Sequence, residues 1–232
     1  MRFFDRIFRF HLLVISVILE KTQPMKTLRT SCLTGAVLLL TMCSPFRKQQ
    51  LSLSKLDRRA NAIRMYAEKK GYSTRYCFLL DMSLQSGLKR FFVYDFTNNS
   101  VAFSGLVAHG SCDQMFLKEA RFSNAMGSGC TSLGLYKVGF AYNGQYGKAY
   151  KLYGLQNTNC NAFDRAVVLH GYSCVPDEEI YPKPICNSSG CTMVSFAFLT
   201  KLSSIIDDSK KPILLWVYDG NTSQALTFAS GR

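Results

Sequence analysis

From Arg75 to Ala108 the chain alternates short aromatic and β-branched runs, RYCFLLDM, RFFVYDF and VAFSGLVA, with the turn-forming pieces QSGLK and TNNS. Runs of that length suit a pleated sheet and are interrupted too often for helices. The pattern predicts an antiparallel meander. Residues 121–160 continue in kind, with glycines recurring among polar and aromatic residues, as short strands joined by glycine turns require. Ala166–Leu169 reads as a buried strand that delivers His170 at its end, and PILLWVYD as the last strand of the sheet. Two helices frame these strands. Leu56, Ala60, Ile63 and Ala67 recur at helical spacing within Ser54–Lys70, with Gly71 placed to stop the helix, and Phe196, Leu199, Leu202 and Ile206 mark a second one. The fold class is mainly β with a few helices, α+β. At 232 residues and 47% hydrophobic content the chain is long and apolar enough to bury such a core, which excludes a disordered or fibrous class.

The first 43 residues follow different rules. Met25 opens MKTLRTSCLTGAVLLLTMCS, in which Lys26 and Arg29 precede an apolar run from Cys32 to Cys43. Charge followed by a short hydrophobic stretch is the order of a secretory signal, and the run is shorter than the roughly 20 residues of a membrane helix. Translation is expected to start at Met25. Cys43 is a candidate for lipid attachment, although Met42 is bulky where a small residue is wanted. The expected organisation is an export signal over 1–43, a linker and amphipathic helix over 44–74, and the main domain over 75–232. Removing 1–43 takes six of the 28 basic and two of the 15 acidic side chains, leaving 22 against 13 and a net charge of +9. A surface that basic attracts polyanions. Export and the lack of a recognised basic motif argue against nucleic acid.

Seven of the nine cysteines lie beyond the signal: Cys77, Cys112, Cys130, Cys160, Cys174, Cys186 and Cys191. An odd number in an oxidising compartment leaves at least one thiol unpaired unless it bridges to another chain, and Cys77, inside an apolar strand pattern, is one candidate for a buried free thiol. No CxxC or HxxxH spacing is present, so no metal is expected. The thiol of most interest is Cys191, in LHGYSCVPDEEIYPKPICNSSGCTMVS. A cysteine attacks only as the thiolate, and a free thiol with a pKa of about 8.5 needs a base beside it. Of the three histidines only His109 and His170 follow the signal, and His170 is the natural base. Gly190 lets backbone approach a substrate carbonyl, and the amides around Gly190 and Cys191 are placed to meet an oxyanion. Gly171 gives the chain a sharp departure after the histidine.

His170-Gly171 followed by Ser188-Ser189-Gly190-Cys191 resembles the L,D-transpeptidases with the YkuD-type catalytic domain. LQSGLKRFFVYDFTNNSVAFSGLVAHGS is similar to the family's opening hairpins, TSLGLYKVG to its segment before a strand, and RAVVLHG to its strand into the histidine. The resemblance covers most of residues 75–219. Ser189 and Met193 stand where better-known members carry another residue before the glycine and an arginine after the cysteine, which is closer to the divergent, catalytic-domain-like subgroup.

The resemblance implies a YkuD-like β-sandwich with an N-terminal helix and a helix after the nucleophile. It implies Cys191 as nucleophile and His170 as its base, oriented by a backbone carbonyl near Ser188 or Ser189. Gly190, Ser189, Ser188 and Gly171 would shape the site or its oxyanion hole, with His109 lining it or holding the scaffold. The insert YSCVPDEEIYPKPICNS would form a flap, stiffened by prolines and stapled by Cys174 and Cys186. The implied reaction transfers an acyl group from a peptidoglycan stem tetrapeptide through a thioester on Cys191 to an amine. Water as acceptor would make it an L,D-carboxypeptidase, and loss of chemistry a wall-binding protein of the same fold. No cofactor is needed, the partners are donor and acceptor stem peptides, and the protein is expected to be a monomer in the bacterial envelope, membrane-bound only through its signal or a lipid anchor.

Overall fold

The computed structural model describes residues 55–220; the export signal, Met25, Cys32, Cys43 and Ser54 lie outside them. A helix, α1, covers 55–70 and ends at Gly71, whose φ of +76° is the left-handed stop expected of a glycine there. The strands are β1 (Tyr76–Asp81), β2 (Phe91–Asp95), β3 (Ser100–Gly105), β4 (Gly134–Gly144), β5 (Gly147–Gly154), β6 (Val168–Gly171), β7 (Thr192–Val194) and β8 (Leu214–Tyr218), and helix α2 (Phe196–Asp208) precedes β8. The mainly-β, α+β class is the one adopted. The strands expected as a sandwich are hydrogen-bonded into one continuous eight-stranded sheet, in the order β3-β2-β1-β8-β4-β5-β6-β7.

The expected meander is present, with β2 antiparallel to both β1 and β3. The final strand, β8, is last in sequence but central in space, parallel to β1 on one side and antiparallel to β4 on the other. A central strand is buried on both faces and reads as an unbroken apolar run, as LLWVY does. The edge strand β3 alternates instead between exposed and half-buried positions.

The pleat sends alternate residues to two cores. On one face Phe78, Val93, Tyr136, Tyr150, Leu169, Val194 and Leu215 pack against Phe198, Leu199 and Leu202 of α2. Ser195 caps that helix, its Oγ accepting from the Phe198 amide at 3.1 Å. Phe196, expected on the buried stripe, is exposed, and the stripe begins at Phe198. On the other face Leu56, Ala60, Ile63 and Ala67 of α1 cover Cys77, Leu79, Leu135, Trp216 and Tyr218. That cover reaches the β2-β1-β8 half of the sheet and the start of β4; the same face of β5, β6 and β7 carries the candidate site. Among the described residues no helix is long and apolar enough to cross a membrane.

Candidate active site

Strands β6 and β7 run parallel, with Leu169 opposite Thr192 and His170 opposite Met193. Parallel neighbours need a long crossover, and residues 172–191 provide it. Cys191 immediately precedes β7, so the register sets it beside Val168, two residues back from the partner of His170. One strand across and two residues along separates the two Cα atoms by about 8 Å. Residues directly paired in a parallel sheet share a face, and residues two apart along a strand do as well. The register therefore sets Cys191 on the sheet face that carries His170.

Each makes its hydrogen bond to backbone rather than to the other. Cys191 Sγ lies 3.8 Å from the Ala166 carbonyl oxygen, in a turn where Ala166 takes a φ of +54°. His170 Nδ1 is 3.1 Å from the Gly171 carbonyl oxygen. An oxygen of that kind only accepts, so Nδ1 carries the proton and Nε2 of the neutral ring is left as the base. The orienting carbonyl, expected near Ser188 or Ser189, is that of Gly171, the histidine's own neighbour. Burial raises the Cys191 thiol above its ordinary pKa; the Val168 amide and the Arg165 charge act against it. Burial also lowers the His170 pKa, opposed by the bond to Gly171. At neutral pH the two groups therefore rest as thiol and imidazole.

The motif residues hold the turn into β7. Ser188 Oγ accepts from the Gly190 amide at 3.2 Å and donates to the Cys191 carbonyl at 2.8 Å. The Gly190 N–H, expected to face an oxyanion, is taken by that hydroxyl. What Gly190 supplies is room: its φ is +104°, and a Cβ there would lie 2.8 Å from the Cys130 carbonyl oxygen. Ser189 is exposed on the same turn. Gly171 does not turn the chain away but stays in β6 opposite Val194, and a Cβ on it would come within 2.7 Å of the Phe196 ring.

His109 is buried with both nitrogens engaged. Nδ1 accepts from Arg90 Nη2 at 2.9 Å, so Nε2 carries the proton donated to the Leu117 carbonyl at 2.9 Å. Burial, reinforced by the Arg90 charge, holds its pKa down at about 4. Its backbone carbonyl accepts from the Ser188 amide at 2.9 Å, and Ala108 donates to the Met193 carbonyl, so this segment braces the outer edge of β7.

The insert is stapled by a Cys174–Cys186 disulfide, and a second disulfide joins Cys112 to Cys130; Cys77, Cys160 and Cys191 are free. The insert's contacts run to the β1–β2 turn, through Ile180 and Tyr181 to Gly87 and through Glu178 and Glu179 to Lys89, and its apolar core packs on Met193 and Leu106. It is a side wall, and only its first residue reaches the histidine: Tyr172 packs edge-on to His170 at 6.5 Å. Tyr146, from the β4–β5 turn, stacks on the His170 ring with centroids 5.0 Å apart and planes 20° apart.

Three neighbours were not singled out from sequence. Tyr172 was findable, two residues beyond His170 and so on its side of the strand. Tyr146 left a weaker signal, an aromatic in a glycine-flanked turn with no core to fill. Arg165 left none, because its guanidinium reaches the site by binding the Ser123 and Cys130 carbonyls, which come from a distant loop. Among the described residues no three His, Cys, Asp or Glu side chains gather as a metal site.

No curated protein matches the chain. Solved structures similar to it at low identity include two of one protein. One is the helical cell shape determining protein Pgp2 from Campylobacter jejuni, with 14% identity and a TM-score of 0.40 over 63% of this chain and 48% of that one; the other is a mutant of the same protein, with 15% and 0.40 over 69% and 57%. The chain thus spans about half the length of those proteins. The family profile described as the L,D-transpeptidase catalytic domain, YkuD_2, matches residues 47–218, well over half of the chain, and the chain belongs to that family.

Proposed function

We propose that this protein is a cysteine-dependent L,D-transpeptidase acting on peptidoglycan in the bacterial envelope, exported by a signal within residues 1–43 and working as a monomer without a cofactor. The observation that carries the reading is the register of β6 and β7, which sets a cysteine and a histidine with an unprotonated Nε2 on one sheet face. The donor is a stem tetrapeptide. Cys191 Sγ leaves the Ala166 carbonyl by side-chain rotation and attacks the carbonyl carbon of the third residue, and the thiol proton passes to His170 Nε2. The bond to the terminal D-alanine nitrogen breaks as that nitrogen takes the proton back, leaving a thioester on Cys191. An acceptor amine attacks the thioester, gives its proton to Nε2, and the returning thiolate recovers it. The Gly171 carbonyl keeps Nδ1–H in place throughout and stabilises the transient imidazolium.

Because both groups rest neutral, proton transfer accompanies attack, in contrast to sites that hold a preformed thiolate. A noncatalytic, wall-binding reading has one observation in its favour, the Cys191 thiol turned to a backbone carbonyl. Incubation with a disaccharide-tetrapeptide followed by mass spectrometry decides between them. The wild-type chain is expected to release D-alanine and carry the acyl group on Cys191, and Cys191→Ala to lose activity by about a thousandfold or more. Release at an undiminished rate by the variant, or none by the wild type, overturns the enzymatic reading.

A further inference from the structure

The face that carries His170 continues onto β5 and β4. Ala149 is paired with His170, Lys151 with Val168, and Tyr153 with Lys137, so Lys137, Lys151 and Tyr153 share that face. Phe163, half-exposed in the loop before β6, stacks on Tyr153 with ring centroids 5.1 Å apart and planes 15° apart. Lys137 Nζ lies 4.3 Å from the centre of the Tyr153 ring. Lys151 Nζ lies 4.6 Å from that of Tyr142 and 5.8 Å from that of Phe163. The result is a row, Tyr142, Lys151, Phe163, Tyr153, Lys137, in which three rings and two ammonium groups are in successive contact. Lys89 and Lys148 are paired with carboxylates, whereas neither lysine of the row is in an ion pair among the described residues. Rings hold the ammonium groups in place without neutralising them, so their charge stays available to a ligand. On β5 only Ala149 separates the row from His170.

We propose that this row is a binding track for the peptidoglycan strand, leading it to Cys191: the half-exposed Phe163 ring packs against its sugars, and Lys137 and Lys151 take the carboxylates of its stem peptides. The identity of the polymer rests on the function proposed above. Charge complementarity supports the choice, since a carboxylate-rich strand meets a chain that keeps a net charge of +9 after residues 1–43 are removed and that presents, on this face, two unpaired lysines. The Phe163 ring selects for sugar where charge alone would accept any polyanion.

The test is cosedimentation with purified insoluble peptidoglycan in a Cys191→Ala background, so that retention is read without turnover. Lys137→Gln/Lys151→Gln and Phe163→Ala are each expected to bind about tenfold more weakly, the first with a shallower dependence on salt. Lys69→Gln/Lys70→Gln, which removes the same charge from the helix over the other half of the face, is expected to stay within about twofold of the parent. Thermal midpoints equal to the parent's establish that the variants are folded. The proposal is overturned if the row variants bind as the parent does, if the Lys69/Lys70 control loses as much, or if poly-glutamate is retained as tightly as peptidoglycan. Since binding is read on an inactive chain, absence of D-alanine release by the wild type would defeat the enzymatic reading and leave this result standing.

Discussion

Two buried imidazoles in one domain have opposite freedoms. His170 has one nitrogen committed to a carbonyl and the other open, whereas His109 has both committed and an arginine beside it. That difference supports the proposal of His170 as the base, and sequence alone ranked the two only through the Ser-Ser-Gly-Cys motif downstream of His170, since Gly110 follows His109 as Gly171 follows His170. It also has a consequence for stability. His109 is held at about 4 in the fold, against about 6.5 for an unfolded chain. Between those values the unfolded chain binds a proton that the folded chain refuses. The contribution is therefore complete above pH 6.5 and is lost as the pH falls toward 4, reaching about 3 kcal/mol. Urea unfolding at pH 7.5 and pH 4.5 measures it. His109→Gln, whose amide can still accept from Arg90 and donate to Leu117, is expected to be less stable at pH 7.5 yet to lose markedly less on acidification than the wild type. Parallel losses in the two proteins would show that His109 is not the group responsible.

At the level of elements, apolar periodicity located nearly every strand and both helices, because each buries a face whose period its residues must follow. It did not reveal that β8 joins the two halves of the sheet, since burial on both faces says a strand is central without saying between which partners. It also misplaced the stripe of α2. Phe196 looked like its first core residue but lies at the surface over Gly171, where a glycine permits the helix N-terminus to approach β6. The sequence signal at Gly171 was thus one of packing rather than of turning. Gly171→Ala places a methyl group 2.7 Å from the Phe196 ring and is expected to cost about 1–3 kcal/mol, measured by urea unfolding. Phe196→Ala should recover most of that loss in the double variant, the two changes being strongly non-additive. Additive losses would mean that the constraint on Gly171 lies in its backbone.

Across the whole molecule, the two faces of the sheet have different fates. One is closed by α2, while the other is closed by α1 over β2, β1 and β8 and, over β6 and β7, where the candidate pair lies, by Tyr146, Tyr172 and the stapled insert. The pair itself was legible because cysteine, histidine and their glycines recur in a known order; the surrounding Tyr146 and Arg165 were not, because turns and loops remote in sequence deliver them. The boundary drawn at residue 75 separates α1 from the face it covers. A chain beginning at 75 leaves Leu79, Leu135, Trp216 and Tyr218 without Leu56, Ala60, Ile63 and Ala67 above them. Burial of Leu56 and Ile63 alone is worth about 4 kcal/mol, a large share of the stability of an ordinary domain. A chain starting at 52 is therefore expected to unfold cooperatively, and one starting at 75 to show a much lower urea midpoint or to aggregate. Ile63→Asp in the longer chain should reproduce the defect, because it buries an unpaired carboxylate at the centre of the same contact. Equal midpoints for the two chains would show that the sheet needs no cover on that face, and α1 would then be a tether between the domain and whatever precedes it.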